Sequence, residues 1–251
     1  MHSETDNDLP QDSASMHGAL PVYIQIAELI SRQISAGHLL DGQRLPTEKI
    51  MAREYGVAVG TLRKSLARLV ELGLLVRRQG SGNYIQRGEH AASIYSFFRL
   101  ELPTGGGLPS ANLLLVATLA KPDGLPDFGL GGAAHVDFAH RFRRVRFLDG
   151  DAVALEEIWL DGSVTPKIDP AEVSQSLYEF YKSQLGIWIT RAEDWVSIDA
   201  LPDWAADQFH LPAGTMVGYV ERFGWSQTNN KVEFSRTWFD HNAARYVARL
   251  K

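Results

Sequence analysis

Residues 44–86 read RLPTEKIMAREYGVAVGTLRKSLARLVELGLLVRRQGSGNYIQ, and the punctuation of this stretch decides the fold. Leu62, Leu66, Leu69 and Val70 recur at helical spacing and make one apolar face. Thr61, Arg63, Lys64 and Arg68 leave another face polar and basic. Such a helix packs its back on a core and turns its front toward an anion. The helix before it starts at Pro46 and Thr47, where the Thr47 hydroxyl is placed to cap free N–H groups. It is expected to bury Ile50 and Met51, with Gly56 as the left-handed residue that ends it. Two short helices joined by a turn, the second with a basic front, form a helix-turn-helix layout. A hairpin follows, with Leu74, Val76, Tyr84 and Ile85 strand-like, Gly80-Ser81-Gly82-Asn83 as the expected turn, and Arg77 and Arg78 at its base. A glycine-rich tip can approach a phosphate or a minor groove closely, because no Cβ intervenes.

In this order and within one small domain, the pieces resemble the winged helix-turn-helix of the GntR family of bacterial transcription regulators. The resemblance is carried by Leu45-Pro46-Thr47-Glu48, Thr61-Leu62-Arg63, Leu66-Ala67-Arg68-Leu69, Gly73-Leu74-Leu75 and the wing Arg77-Arg78-Gln79-Gly80-Ser81-Gly82. It implies a DNA-binding domain over residues 20–86, touching a double-stranded, palindromic operator through Lys49, Thr61, Arg63, Lys64, Arg77, Arg78, Gly80, Ser81 and Gly82. The chain departs from the family at four positions. Ala58 and Val59 stand where Ser or Thr followed by Arg is usual, and Ser81 and Asn83 stand where the wing commonly has a basic residue and Thr. The base-reading pattern therefore differs from the family's common one.

Upstream, Pro21 opens a helix whose Val22, Ile26, Leu29, Ile30 and Ile34 share one face, and Gly37 and Gly42 close it. Residues 1–19 are polar and acidic without periodicity and read as a disordered tail. The whole chain of 251 residues suits two domains, with 45% hydrophobic and 22% charged residues. Its net charge of −5 at first argues against nucleic acid. The distribution reverses that, because residues 21–88 hold ten basic and five acidic side chains, a net +5, leaving −10 for the rest. A basic module joined to an acidic one fits a DNA reader attached to something that does not bind DNA. With no cysteine there is no disulfide, thiolate metal site or cysteine nucleophile, which fits a cytoplasmic protein, nucleoid-associated when on DNA. No signal segment opens the chain, and the longest apolar run, 111–120, is too short to span a bilayer.

Residues 87–93 read as a linker. Beyond it, 94–102 alternates like a strand, 103–109 is a loop with Gly105, Gly106 and Gly107, and 111–120 reads as a strand buried on both faces. Residues 122–132 read as irregular with a short helical turn. Residues 140–148 and 152–160 flank Asp149-Gly150, a strong hairpin signal. A helix over 171–185 would face Val173, Leu177, Phe180 and Tyr181 inward; 188–200 returns as a strand and 202–209 as a short helix. A second hairpin, 217–225 with 232–238, turns about Thr228-Asn229-Asn230. Strands that outnumber helices and return as hairpins imply an α+β domain on an antiparallel sheet.

This half, 94–251, resembles the UTRA effector-binding domain of the HutC subfamily through Arg144-Val145-Arg146, Asp149-Gly150, Ala154-Leu155-Glu156, Ser176-Leu177-Tyr178 and Val232-Glu233-Phe234-Ser235. The resemblance implies a chorismate lyase-like fold, a homodimer made through these domains and operator binding controlled by a small metabolite. The residues argue a pocket on their own account. Arg144 and Arg146 lie two apart on a strand, so both point to one face, about 6.5–7 Å apart, a spacing that suits a phosphate, sulfate or carboxylate. Ser176 and the N–H groups after it can complete an anion site. By resemblance, Glu156 and Glu233 hold the effector's polar end and Tyr178 lines the wall. The plainer reading of the same residues is an Arg–Glu pair that only ties two strands together.

Other constellations carry less. His135, His140, His210 and His241 show no metal-ligand spacing, and neither a metal nor a cofactor is expected. Glu156 and Glu157 are adjacent on a strand and point to opposite faces, so they do not form a catalytic pair. Gly105-Gly106-Gly107 lacks the Lys of a phosphate-binding loop, and by resemblance closes over the effector. The six tryptophans read as core aromatics. Three functions stay open: a ligand-responsive regulator, most simply a repressor and not an enzyme; an enzyme on the lyase-like fold with an accessory DNA-binding domain; and a constitutive DNA binder with a degenerate pocket.

Overall fold

The computed structural model describes residues 20–86, 97–130, 135–205 and 209–249. The tail 1–19, the linker 87–93 and the start of the strand expected from residue 94 lie outside these. The N-terminal part comprises α1 (Val22–Ala36), α2 (Glu48–Glu54), α3 (Val59–Glu71) and the antiparallel pair β1 (Leu75–Arg78) and β2 (Gly82–Ile85). Its core is the expected one in large part, except that Val22, at the first turn of α1, is 50% exposed and Leu29 is half-buried. Ile30, Leu62, Leu66 and Leu69 are completely buried, joined by Ile26, Ile34, Met51, Leu74 and Ile85, each buried aliphatic contributing about 1.5–3 kcal/mol. Gly37 ends α1 in the left-handed conformation at φ 79°, its N–H and that of His38 taking the last carbonyls.

Several local expectations are corrected. Ile50 is 41% exposed, because the seven residues of α2 turn only Met51 and Ala52 to the core. Val70 is 38% exposed, at the shoulder of the Leu62–Leu66–Leu69 stripe. Thr47 occupies the N-cap position of α2 but its hydroxyl makes no capping hydrogen bond. The wing turn is tighter than 80–83: Arg78 pairs with Gly82, so Gln79, Gly80 and Ser81 make the turn and Asn83 is a buried strand residue.

The C-terminal part is a six-stranded antiparallel sheet in the order β4-β5-β6-β9-β8-β7. Its strands are β4 (Pro109–Ala120), β5 (Phe138–Leu148), β6 (Asp151–Asp161), β7 (Ile189–Ala200), β8 (Met216–Ser226) and β9 (Lys231–Phe239). A small pair, β3 (Leu100–Glu101) with β10 (Arg245–Tyr246), lies beside it. The β5–β6 hairpin turns at Asp149 (φ 51°) and Gly150 (φ 94°), the double positive φ that Asp-Gly supplies. The helix expected over 171–185 is shorter. Asp169 caps a single 3-10 turn at Pro170–Glu172, and the Ser176 hydroxyl accepts the Glu179 N–H to start α4 (Leu177–Gln184). Val173, Leu177, Phe180 and Tyr181 are buried as expected. β4 is an edge strand and mostly half-exposed, not buried on both faces, because a terminal strand has a neighbour on one side only. Residues 122–130 contain no helical turn, and the element expected at 202–209 is a 3-10 turn over Asp203–Ala205, with 206–208 outside the described residues. The tryptophans divide: Trp159 and Trp238 are buried, while Trp188 and Trp195 are 48% and 59% exposed.

Candidate functional site

In the N-terminal part the basic side chains expected at the DNA face are open to solvent. Lys49, Arg63, Lys64, Arg77, Arg78 and Gly80 are exposed, and Thr61, Ser81 and Gly82 are half-exposed. Glu48 connects two of the elements. Its carboxylate accepts the Arg63 Nε of α3 at 2.6 Å and lies 3.8 Å from Arg77 Nη2 of β1. The pair is open to solvent and worth at most about 1 kcal/mol to the fold, so its effect is on where the arginines point. Arg78 stacks on the Tyr84 ring at 4.5 Å, and the Tyr84 hydroxyl bonds Ser81 Oγ at 2.6 Å, which stiffens the wing. Sequence reasoning missed Arg44. It bridges to Tyr84, and a Cβ on Gly82 would lie 3.4 Å from its Nε. No local pattern signals that pairing across 40 residues.

The second site is a cleft of about 470 Å³, including its mouth, between the sheet and the start of α4. Arg144, Arg146, Glu156, Ser176, Tyr178 and Glu233 all line it, so the six effector residues expected from sequence come together. β-pairing sets Arg144 opposite Glu156. Arg144 Nη2 donates to Glu156 Oε2 at 2.6 Å and its Nη1 donates to the Gln175 carbonyl at 3.2 Å. Arg146 Nε is 3.8 Å from the same carboxylate. Burial alone would raise the Glu156 carboxyl, but the charges of Arg144 and Arg146 outweigh it and hold the group below its ordinary value. Glu233 is shifted the other way. Burial raises it, and the neighbouring Tyr181 and Tyr178 hydroxyls and the Arg222 charge offset this only in part. Tyr178 donates to Glu233 Oε1 at 3.0 Å. Arg144 Nε and Glu233 Oε2 are buried and make no hydrogen bond among the described residues.

Arg222, Phe98, Ser235 and Thr237 also line the cleft and were not foreseen. Arg222 forms a two-pronged pair with Asp194 at 2.5 Å for each bond. Burial pulls the guanidinium down, and Asp194 more than restores it. Strand alternation could have signalled it: Arg222 pairs with Ser235, two residues from Glu233 and so on the same face. Phe98 lies between two guanidinium groups, Arg146 at 4.3 Å and Arg32 of α1 at 5.3 Å, and Arg32 also donates to the Leu100 carbonyl at 2.6 Å. The cleft wall thus touches the first helix of the other part. Glu157 bonds Arg143 at 2.8 Å and Trp159 Nε1 at 3.1 Å, on the face opposite Glu156. His140 is buried between Thr118 and the Thr165 carbonyl, a structural role, and no cluster among the described residues could hold a metal.

The profile of the bacterial regulatory proteins of the gntR family matches residues 22–85, and that of the UTRA domain matches residues 129–245. The chain is 50% identical over 234 residues to the HTH-type transcriptional regulator SmoD of Agrobacterium fabrum, covering 93% of this chain and 98% of that one. The chain belongs to the GntR family of bacterial regulatory proteins. Another relative is the HTH-type transcriptional repressor NagR of Bacillus subtilis, 24% identical over 91% of this chain and 94% of that one. The crystal structure of YydK from Bacillus subtilis has the same fold, with a TM-score of 0.50 at 19% identity over 92% of this chain and 100% of that one. The protein is thus a GntR-family transcription regulator of the HutC type, with a winged helix-turn-helix domain and an antiparallel-sheet UTRA domain. Regulators of this family bind DNA operators. No helix among its described residues is long and apolar enough to cross a membrane.

Proposed function

We propose that this GntR-family regulator is a repressor that binds a palindromic operator as a homodimer in the cytoplasm and leaves it when a small anionic metabolite, of the sugar phosphate or carboxylate class, enters the cleft. One observation carries the anionic reading. Arg144 and Arg146 are both buried on one wall of the cleft. Their guanidinium groups suit charge-assisted, two-pronged hydrogen bonds to a ligand anion. Glu233, with its carboxyl raised, and Tyr178 suit the hydroxyl groups of the other end of the ligand. Repression is supported by the name of the relative NagR. The ligand is read as bound and not transformed: the cleft hydroxyl that does meet a carboxylate, Tyr178 with Glu233, is pushed up by burial, away from its phenolate form. The contact of Arg32 with Phe98 offers a route from cleft to α1.

The operator face uses Lys49, Thr61, Arg63, Lys64, Arg77, Arg78, Gly80, Ser81 and Gly82, with Arg44 beside the wing. The test is a thermal-shift screen of sugar phosphates, carboxylates, phosphonates and neutral sugars, followed by operator gel shifts with each hit. An anion that raises Tm and releases operator without being consumed is expected. A neutral ligand that does so, or turnover of the hit, overturns the reading.

A further inference from the structure

The wing is wider than its hairpin. Residues 42–45 run antiparallel beside β2: the Gly42 N–H donates to the Ile85 carbonyl, the Ile85 N–H to the Gln43 carbonyl and the Leu45 N–H to the Asn83 carbonyl, each at 2.9 Å. Arg44 therefore stands opposite Tyr84, and Arg78 stands opposite Gly82. Alternate residues of a strand share a face, so Arg44, Tyr84, Gly82 and Arg78 all project from one face of the wing. The contacts agree. Arg78 stacks on the Tyr84 ring at 4.5 Å, and the Arg44 guanidinium lies along Gly82, where a Cβ would be 3.4 Å from its Nε. Gly82 has φ 119°, which disfavours a side chain and keeps the tip thin. Glu48 takes up Arg63 and Arg77, whereas Arg44 and Arg78 have no carboxylate partner among the described residues. Both are exposed.

We propose that Arg44 enters the minor groove flanking each operator half-site, beside the Gly82 tip, and selects A·T pairs there. The inference rests on the operator face above and names a base-selecting residue within it. A recognition helix such as α3 fills the major groove, and a wing beside it meets the next groove, which is minor. That groove is about 6 Å wide, room for a glycine tip and a flat guanidinium. A·T tracts narrow it further and strengthen its negative potential, which draws arginine. A guanidinium carries donors only. It bonds the acceptors on the floor of an A·T pair and opposes the amino donor that G·C adds there.

Duplexes are selected from a random-sequence library with the full-length protein. The wild type is expected to enrich A·T pairs outside the half-site core, and Arg44→Ala to keep the core and lose that enrichment. On the selected duplex, exchanging the flanking A·T pairs for G·C should weaken wild-type binding about tenfold. Exchanging them for inosine·cytosine, which restores the A·T pattern in the minor groove only, should leave it within about twofold. Arg44→Ala should bind all three duplexes alike. The inosine comparison needs no variant, so it stands if Arg44→Ala does not fold. Inosine·cytosine as weak as G·C, or no A·T flank in the wild-type selection, overturns the minor-groove role and leaves the operator reading standing. An Arg44→Ala protein that keeps the wild-type discrimination also overturns it, and a lowered salt slope then marks a phosphate contact. A wild-type protein that selects no duplex overturns both.

Discussion

Replacing Arg146 by Met separates a ligand site from a structural ion pair. Met keeps most of the buried stem and removes the charge. Glu156 is not orphaned, because Arg144 stays 2.6 Å away, so the roughly 3–5 kcal/mol cost of leaving a buried charge unpaired is avoided. The loss to the fold includes the stacking of the guanidinium on Phe98 at 4.3 Å, about 2 kcal/mol at a buried site. The variant should therefore fold, with a lower Tm, and bind operator with wild-type affinity. The ligand anion loses one charge-assisted hydrogen bond, about 1.5–3 kcal/mol, a roughly ten- to hundredfold weaker Kd. Titration calorimetry with the anion from the screen reads that Kd, and operator shifts at rising anion concentration should show release displaced by the same factor. Arg144→Met is the contrast, since it breaks the closer pair and should destabilise the fold by about 3–5 kcal/mol. An Arg146→Met protein that folds and binds the anion with unchanged Kd refutes the placement of the anion. One that fails to fold assigns the triad to structure.

Arg63→Ala should weaken operator binding and reduce the slope of log K against log salt by about one unit, as expected for one lost phosphate contact; an unchanged slope across a salt titration removes Arg63 from the interface. Glu233→Gln should become progressively more stable than the parent as pH rises. The raised Glu233 carboxyl favours the fold only while protonated, and that contribution is lost as pH rises through its folded value; urea unfolding at several pH values checks it, and a constant gap contradicts it. Gly218→Ala should cost about 1–3 kcal/mol, because its Cβ would stand 2.2 Å from Cζ of the Phe239 ring; chemical denaturation measures it. Arg32→Ala should leave the anion's Kd within about twofold yet raise the concentration needed for operator release several-fold, since coupling is a free energy separate from either affinity; equal wild-type release excludes that route.

Sequence alone determined the elements whose signals are local. The periodicity of Leu62, Leu66 and Leu69 fixed the back of α3, Gly37 fixed the end of α1, and Asp149-Gly150 fixed a hairpin. The two-residue spacing of Arg144 and Arg146 already put them on one face, and all six residues named for the pocket do line one cleft. Where competing local interactions set a boundary, the sequence misled. The capping by Ser176 shortened α4, and the position of β4 at the sheet edge left its apolar run half-exposed. Only the tertiary structure decided which distant residues meet: Arg222 and Phe98 in the cleft, Arg44 beside the wing, Arg32 against the second domain, and the bare edge of β7. The reason is physical. Helical and strand periods are written in neighbouring residues, whereas strand order and the approach of α1 to Phe98 arise from burying several faces at once, and no short stretch of chain encodes that.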